Sequence, residues 1–304
     1  MAYAIGIDIG GTKVALALVD EYGKVREQSK IPTDTSIEPT AMIAKINQEV
    51  ESLLKQAAVS LEDMDGIGIG SPGPLDSKNG MISCPPNLQN WRDVDIVAQV
   101  KNHFGLPVIL ENDANAAAMA EKWLGAAKEN DNFAYVTIST GIGAGLFADG
   151  KLLGGARGNA GDIGHTVVDP AYGRCPCGQY GCLEFIASGT AIGKRGSEIA
   201  GKPLTTEQVF DLYHQRDEKI QTYIEDVFQK IGIALVSLIN TFDPEKIVLG
   251  GGVSKVGEPL FSAVRAYVSQ YALNPAGRNT EIVPAELDQN AGVVGAAGLV
   301  FNLK

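Results

Sequence analysis

Twice along this chain of 304 residues, a β-rich run stops at a polar, glycine-bearing tip and a second β-rich run returns from it. Residues 3–9 lead to Gly10-Gly11-Thr12-Lys13, then come 14–19, a turn at 20–23 and a third run over 24–31. Residues 134–139 lead to Gly141-Ile142-Gly143, after which 144–148 resume the strand and Asp149-Gly150 turns into 151–153. Runs of this kind bounded by Gly and Asp turns read as hairpins. Two like hairpins in one chain predict an internal duplication.

Between and after the hairpins the period changes. Apolar residues at 42, 43, 46, 50, 53, 54 and 57 behind Pro39 predict a helix. A short buried strand at 66–70, a Pro/Gly loop and a strand at 107–110 lead into an Ala-rich helix over 113–124. A helix over 223–242 stops before Pro244, and a strand at 247–249 ends in Gly250-Gly251-Gly252. This alternation predicts an α/β protein of two lobes. No low-complexity linker separates them, so they are expected to pack closely and flex about a hinge.

With 25 Lys+Arg against 36 Asp+Glu, net −11, the chain lacks the dense positive charge of non-specific nucleic-acid binding. The apolar stretches 231–239 and 293–301 are too short to cross a bilayer, and Asp8 precedes any signal-peptide core. A soluble, cytoplasmic protein is expected. Of the 36 glycines, 13 lie between 141 and 189, where even usage would put roughly 6. Such crowding is read as backbone approaching a ligand.

Each glycine tip admits two readings. Gly10-Gly11 with Thr12 and Lys13 behind a strand ending in Asp8 offers amides, a hydroxyl and a cation to an anion, or else forms a plain tight turn. Two such tips, the second carrying Ser139 and Thr140, favour anion binding. Asp113, at a strand-to-helix junction, is a helix N-cap, a general base, or both. His165, nine residues, Cys175, one residue, Cys177, four residues and Cys182 make a Cys3His set suited to structural Zn²⁺. A Cys175–Cys177 or Cys177–Cys182 disulfide, or free thiols, are the alternatives. Glycines at 173, 178 and 181 would let that loop wrap an ion. Cys84 is expected in the core, as are Trp91 and Trp123, and no role falls to His103 or His214.

In order, D-I-G-G-T-K at 8–13, G-I-G-S-P-G-P-L-D at 68–76, E-N-D-A-N-A-A-A at 111–118, S-T-G-I-G-A-G at 139–145, C-P-C-G-Q-Y-G-C-L-E at 175–184 and G-G-G-V-S at 250–254 resemble the ROK family (repressor, open reading frame, kinase). The resemblance covers essentially the whole chain. It implies the two-lobed actin-like ATPase (ribonuclease H-like) fold with duplicated β-hairpin/α units. The lobes would be 1–117, with a C-terminal helix at about 291–304 packing back on it, and 118–290 with the zinc loop. It implies an ATP-dependent hexose kinase, homodimeric, with Asp113 as catalytic base toward a sugar 6-hydroxyl. Asp8, Gly10, Gly11, Thr12, Lys13, Thr140, Gly141, Gly143, Gly251 and Gly252 would face ATP and Mg²⁺. Gly73, Asn87, Asn112, Asp113, Asp162, His165 and Glu184 would hold the sugar, and His165 with Cys175, Cys177 and Cys182 the zinc.

One departure concerns the acceptor. The family commonly has G-E-I-G-H, where this chain has G-D-I-G-H with Asp162. A side chain shorter by about 1.5 Å weakens the assignment to glucose, the leading acceptor. N-acetylmannosamine, N-acetylglucosamine and fructose kinases are the alternatives within the family. The family's repressors carry an N-terminal helix-turn-helix domain; seven residues precede Asp8, so a repressor is not expected. A non-catalytic sugar-binding regulator is the rival of another class.

Overall fold

In the computed structural model, which describes residues 1–287 and 290–301, the first hairpin is β1 (Tyr3–Ile9) and β2 (Lys13–Asp20), followed by β3 (Val25–Pro32). Next come α1 (Pro39–Ala57), β4 (Met64–Ser71), short strands β5 (Leu75–Asp76), β6 (Met81–Ile82) and β7 (Val94–Asp95), then α2 (Ile96–Phe104), β8 (Val108–Asn112) and α3 (Asp113–Leu124). The second hairpin is β9 (Phe133–Ile138) and β10 (Ile142–Ala148), with β11 (Lys151–Leu152) after it. Helices α4 (Leu183–Ala187), α5 (Gly189–Ala200), α6 (Thr206–His214) and α7 (Glu218–Phe242) precede β12 (Lys246–Gly250), α8 (Glu258–Tyr271), β13 (Glu281–Pro284) and α9 (Ala291–Phe301).

The duplication is visible in the strand order. In the first sheet, β2-β1-β4-β8 pairs β1 antiparallel to β2 and parallel to β4, with β4 parallel to β8; β3 extends the edge. The run β10-β9-β12-β13 repeats this pattern, one antiparallel pair followed by two parallel ones. The chain divides into two compact units, one of 1–129, 151–160 and the described part of 286–304, the other of 130–150 and 161–285. A boundary at 117 would fall inside α3, which runs unbroken to Leu124. The expected C-terminal helix is α9; residues 302–304 lie outside the described residues. Among the described residues, no helix is long and apolar enough to cross a membrane.

Helix α9 reads A-G-V-V-G-A-A-G-L-V-F, apolar on every face, so it must be buried on every face. It lies on β1 and β4 of the first sheet and against the Ala-rich α3. Contact is backbone to backbone: a Cβ at Gly6 or Gly68 would collide with the carbonyl of Val293 or Ala296, and one at Gly295 with that of Ala116. In the second unit Gly161 and Gly164 likewise press on the carbonyls of Ala144 and Ile142. The glycine content therefore serves close packing as well as any ligand.

The helices that the period did not reveal are short, or polar where they begin. Helix α7 starts at Glu218, five residues ahead of the expected 223, because Asp217 accepts from the Ile220 amide at 3.1 Å and caps a polar first turn. Trp91 is fully buried. Cys84 is a correction: it is exposed, in the loop between β6 and β7 and outside the packed strands.

Candidate active site

Three parallel strands of the first unit, β1, β4 and β8, end on one edge, where α/β sheets commonly present their chemistry. Their register aligns Asp8 with Gly70 and Gly70 with Glu111, so Asp8 and Glu111 stand two strands apart, roughly 10 Å at the usual spacing. Beyond Asp8 the hairpin tip closes with the Gly10 amide donating to the Lys13 carbonyl at 2.9 Å. Thr33 braces it, its hydroxyl donating to the Gly10 carbonyl at 2.7 Å and its amide to that of Thr12 at 3.0 Å. Thr12 and Lys13 are exposed, and a Cβ on Gly11 would stand 2.9 Å from Cβ of Asn87. Asp8 is half-buried; burial raises its carboxyl above the usual range, and Lys13 partly offsets this.

At the end of β8 the cap reading needs correcting. Asn112 is the N-cap of α3, its side-chain oxygen accepting from the Ala114 amide at 2.9 Å. Asp113 is the first helical residue, exposed, with Oδ1 accepting from the same amide at 2.8 Å. Beneath them Glu111 Oε2 accepts from the Asn112 amide at 3.3 Å and from Asn115 Nδ2 at 2.9 Å, tying the strand end to the first helical turn. Burial raises Glu111, and these two donors oppose the rise. The E-N-D-A-N motif by itself assigns no role to Glu111 or Asn115; their i,i+4 spacing across the junction is the signal in the sequence for this bond. Gly70 packs on Ala116 and Asp113, and Gly73, joined to Pro74 by a cis peptide, lies near the Asn112 amide group.

In the second unit the tip is Ser139-Thr140-Gly141, while Gly143 is already inside β10, opposite Thr137. Residues 184–190 hold this turn. The Gly189 amide donates to the Ser139 carbonyl at 2.7 Å, and the Thr190 hydroxyl to that of Thr140 at 2.8 Å. Gly141 packs on the Glu184 carboxylate, and the Ile142 amide donates to Glu184 Oε2 at 2.8 Å. Strand β12 ends beside β9, with Gly251 at φ +87° against the Ile138 backbone and Gly252 facing open space.

His165, Cys175, Cys177 and Cys182 converge in the same unit, their ligand atoms within 4.8 Å of one another. Cys175 Sγ lies 3.9 Å from His165 Nδ1 and Cys177 Sγ 3.6 Å from Cys182 Sγ. A tetrahedron with Zn–S bonds of 2.3 Å has edges of about 3.8 Å, whereas a disulfide requires about 2.05 Å. The donor set fits zinc, and the four cysteines are unbridged. Gly173, Gly178 and Gly181 all have positive φ, which turns the chain around the cluster. The Gln179 amide lowers the Cys177 thiol to about 7, whereas burial pushes Cys182 up to about 12. His165 turns Nε2 toward Glu184 Oε1, 4.0 Å away. Asp162 is exposed and precedes the short turn 163–165 without capping it.

A model of the ROK family matches residues 4–302. This chain belongs to the ROK family. It is 35% identical over 315 residues to a glucokinase of Thermotoga maritima, covering 97% of this chain and 96% of that protein. It is 32% identical over 301 residues to the xylose repressor of Bacillus subtilis, covering 99% of this chain and 77% of the repressor. Among solved structures, a ROK family glucokinase from Streptomyces griseus in complex with glucose and AMPPNP matches with a TM-score of 0.80 and 30% identity over 98% of this chain and 99% of that one. The fold is the α/β, actin-like ATPase fold of ROK sugar kinases. Within this ROK chain, Thr33, Gly189 and Thr190 are supports found only through the hydrogen bonds of the two tips.

Proposed function

We propose that the chain is an ATP-dependent sugar kinase that transfers the ATP γ-phosphoryl group to the 6-hydroxyl of a hexose, glucose being the leading acceptor. The observation that carries this reading is the position of Asp113: exposed, at the first turn of α3, on the edge where β1, with Asp8 next to its last residue, also ends. Phosphoryl transfer needs positioning and charge neutralisation more than covalent chemistry. Asp113 takes the proton of the 6-hydroxyl as that oxygen attacks the γ-phosphorus; the bond to the β-phosphate oxygen breaks and ADP leaves. Glu111 and Asn115 keep Asp113 at the strand end.

Asp8, the Gly10–Lys13 tip, Thr140, Gly141 and Gly143 serve the phosphates, and Gly251 and Gly252 the adenosine side. Asp8 would hold Mg²⁺, which neutralises phosphate charge when bound. Asn87, Asn112, Asp113, Asp162, His165 and Glu184, with Gly73 lining, serve the sugar. His165, Cys175, Cys177 and Cys182 would hold Zn²⁺, which supplies structure to the loop. A cytoplasmic homodimer accompanies this reading.

A coupled assay of ADP release across glucose, mannose, fructose, N-acetylglucosamine and N-acetylmannosamine tests it. Glucose-dependent release is expected, and highest turnover on an N-acetylhexosamine or on fructose would reassign the acceptor. No release with any sugar would favour the second reading, a sugar-binding regulator, which the similarity to the xylose repressor supports.

A further inference from the structure

Glu184 has a second duty beside the sugar contact proposed above. It is the second residue of α4, two positions after Cys182, the N-cap of that helix. Its two carboxylate oxygens face different partners: Oε2 accepts from the Ile142 amide at 2.8 Å, and Oε1 lies 4.0 Å from His165 Nε2. Gly141 is compatible with this only because it has no side chain, since a Cβ there would stand 2.6 Å from Oε2.

The same short segment supplies the other supports of the tip. Ser188 ends α4 and caps α5, accepting from the Ala191 amide at 3.2 Å. Gly189 and Thr190, the next two residues, hold the carbonyls of Ser139 and Thr140. The carbonyls of Ser139 and Thr140 and the amide of Ile142 are thus all bound by residues 184–190. With these carbonyls engaged and the Ser139 amide donating to the Gly141 carbonyl at 2.8 Å, the amides of Thr140 and Gly141 and the Thr140 hydroxyl are the groups of the turn that could serve an anion.

We infer that Glu184 is a positioning residue for the nucleotide: through its bond to the Ile142 amide it shapes the 139–142 turn and thereby sets affinity for the ATP phosphates. This rests on the kinase reading and extends it, because a residue assigned to the sugar then governs the other substrate as well. Removing the acceptor leaves a half-buried amide without its partner and lets the turn relax. A glutamine at 184 can still present a carbonyl oxygen to that amide, whereas an aspartate, one methylene shorter, cannot reach it.

The test is calorimetric titration of wild type, Glu184→Gln and Glu184→Asp with Mg²⁺–AMPPNP, and separately with glucose. Hydrogen exchange over 139–145 reports on the turn itself. Glu184→Asp is expected to weaken AMPPNP binding about tenfold, one such hydrogen bond, and to speed exchange in the turn. Glu184→Gln should stay within about threefold of wild type for AMPPNP while losing glucose affinity. Wild-type AMPPNP affinity in Glu184→Asp, or equal weakening in both variants, would overturn the inference. Failure of the wild-type protein to bind AMPPNP at all would instead overturn the kinase reading on which it rests. Both substitutions are conservative, and the exchange measurement remains informative if either variant is less stable.

Discussion

Asn112 and Asp113 accept hydrogen bonds from one amide, that of Ala114, at 2.9 and 2.8 Å. Because Asn112 satisfies this amide as the N-cap, Asp113 can turn to a substrate hydroxyl without leaving the helix end uncapped. Capping falls to Asn112, which leaves Asp113 for the base role proposed for it.

Asp113→Asn is therefore expected to fold normally and to bind glucose, with kcat reduced by about 10²–10⁴, the range of general-base catalysis. Steady-state kinetics with a separate sugar titration measure this. Turnover near wild type would remove Asp113 as the base.

Asp8 illustrates a carboxylate held against its own preference. Burial, the larger effect, raises its folded pKa above 3.8, and Lys13 lowers it. A raised folded value means that its contribution to stability is complete below the unfolded pKa and is lost as pH rises through the folded one. Asp8→Asn should then melt higher than wild type at pH 7, with the gap closing toward pH 4, while kinase activity disappears. Calorimetric Tm values across that pH range test the sign; a gap that widens on acidification would contradict it.

Purified protein should contain about one zinc per chain, the stoichiometry of a closed four-ligand site. Stripping it with a chelator should lower Tm and loosen the loop 165–182, read by limited proteolysis. Active, well-folded protein with no zinc would sink the Cys3His assignment.

Gly6→Ala should destabilise the first unit by about 1–3 kcal/mol or more, the cost of overpacking, because the new Cβ meets the Val293 carbonyl of α9. Gly154→Ala, with no atom within 4 Å of the new Cβ, should stay within about 0.5 kcal/mol. Urea midpoints compare the two.

Residue order by itself determined the two hairpins, helices α1, α3 and α7, the Cys3His grouping and the family resemblance. Those features are local: alternation, helical period and short spacings are written in neighbouring residues. Tertiary structure decided that Gly6 and Gly68 serve α9 and that Cys84 is exposed. It also decided that Glu184 reaches back 42 residues to the Ile142 amide. No local pattern carries such a bond, because its acceptor and donor meet only after α4 has packed beside the turn between β9 and β10.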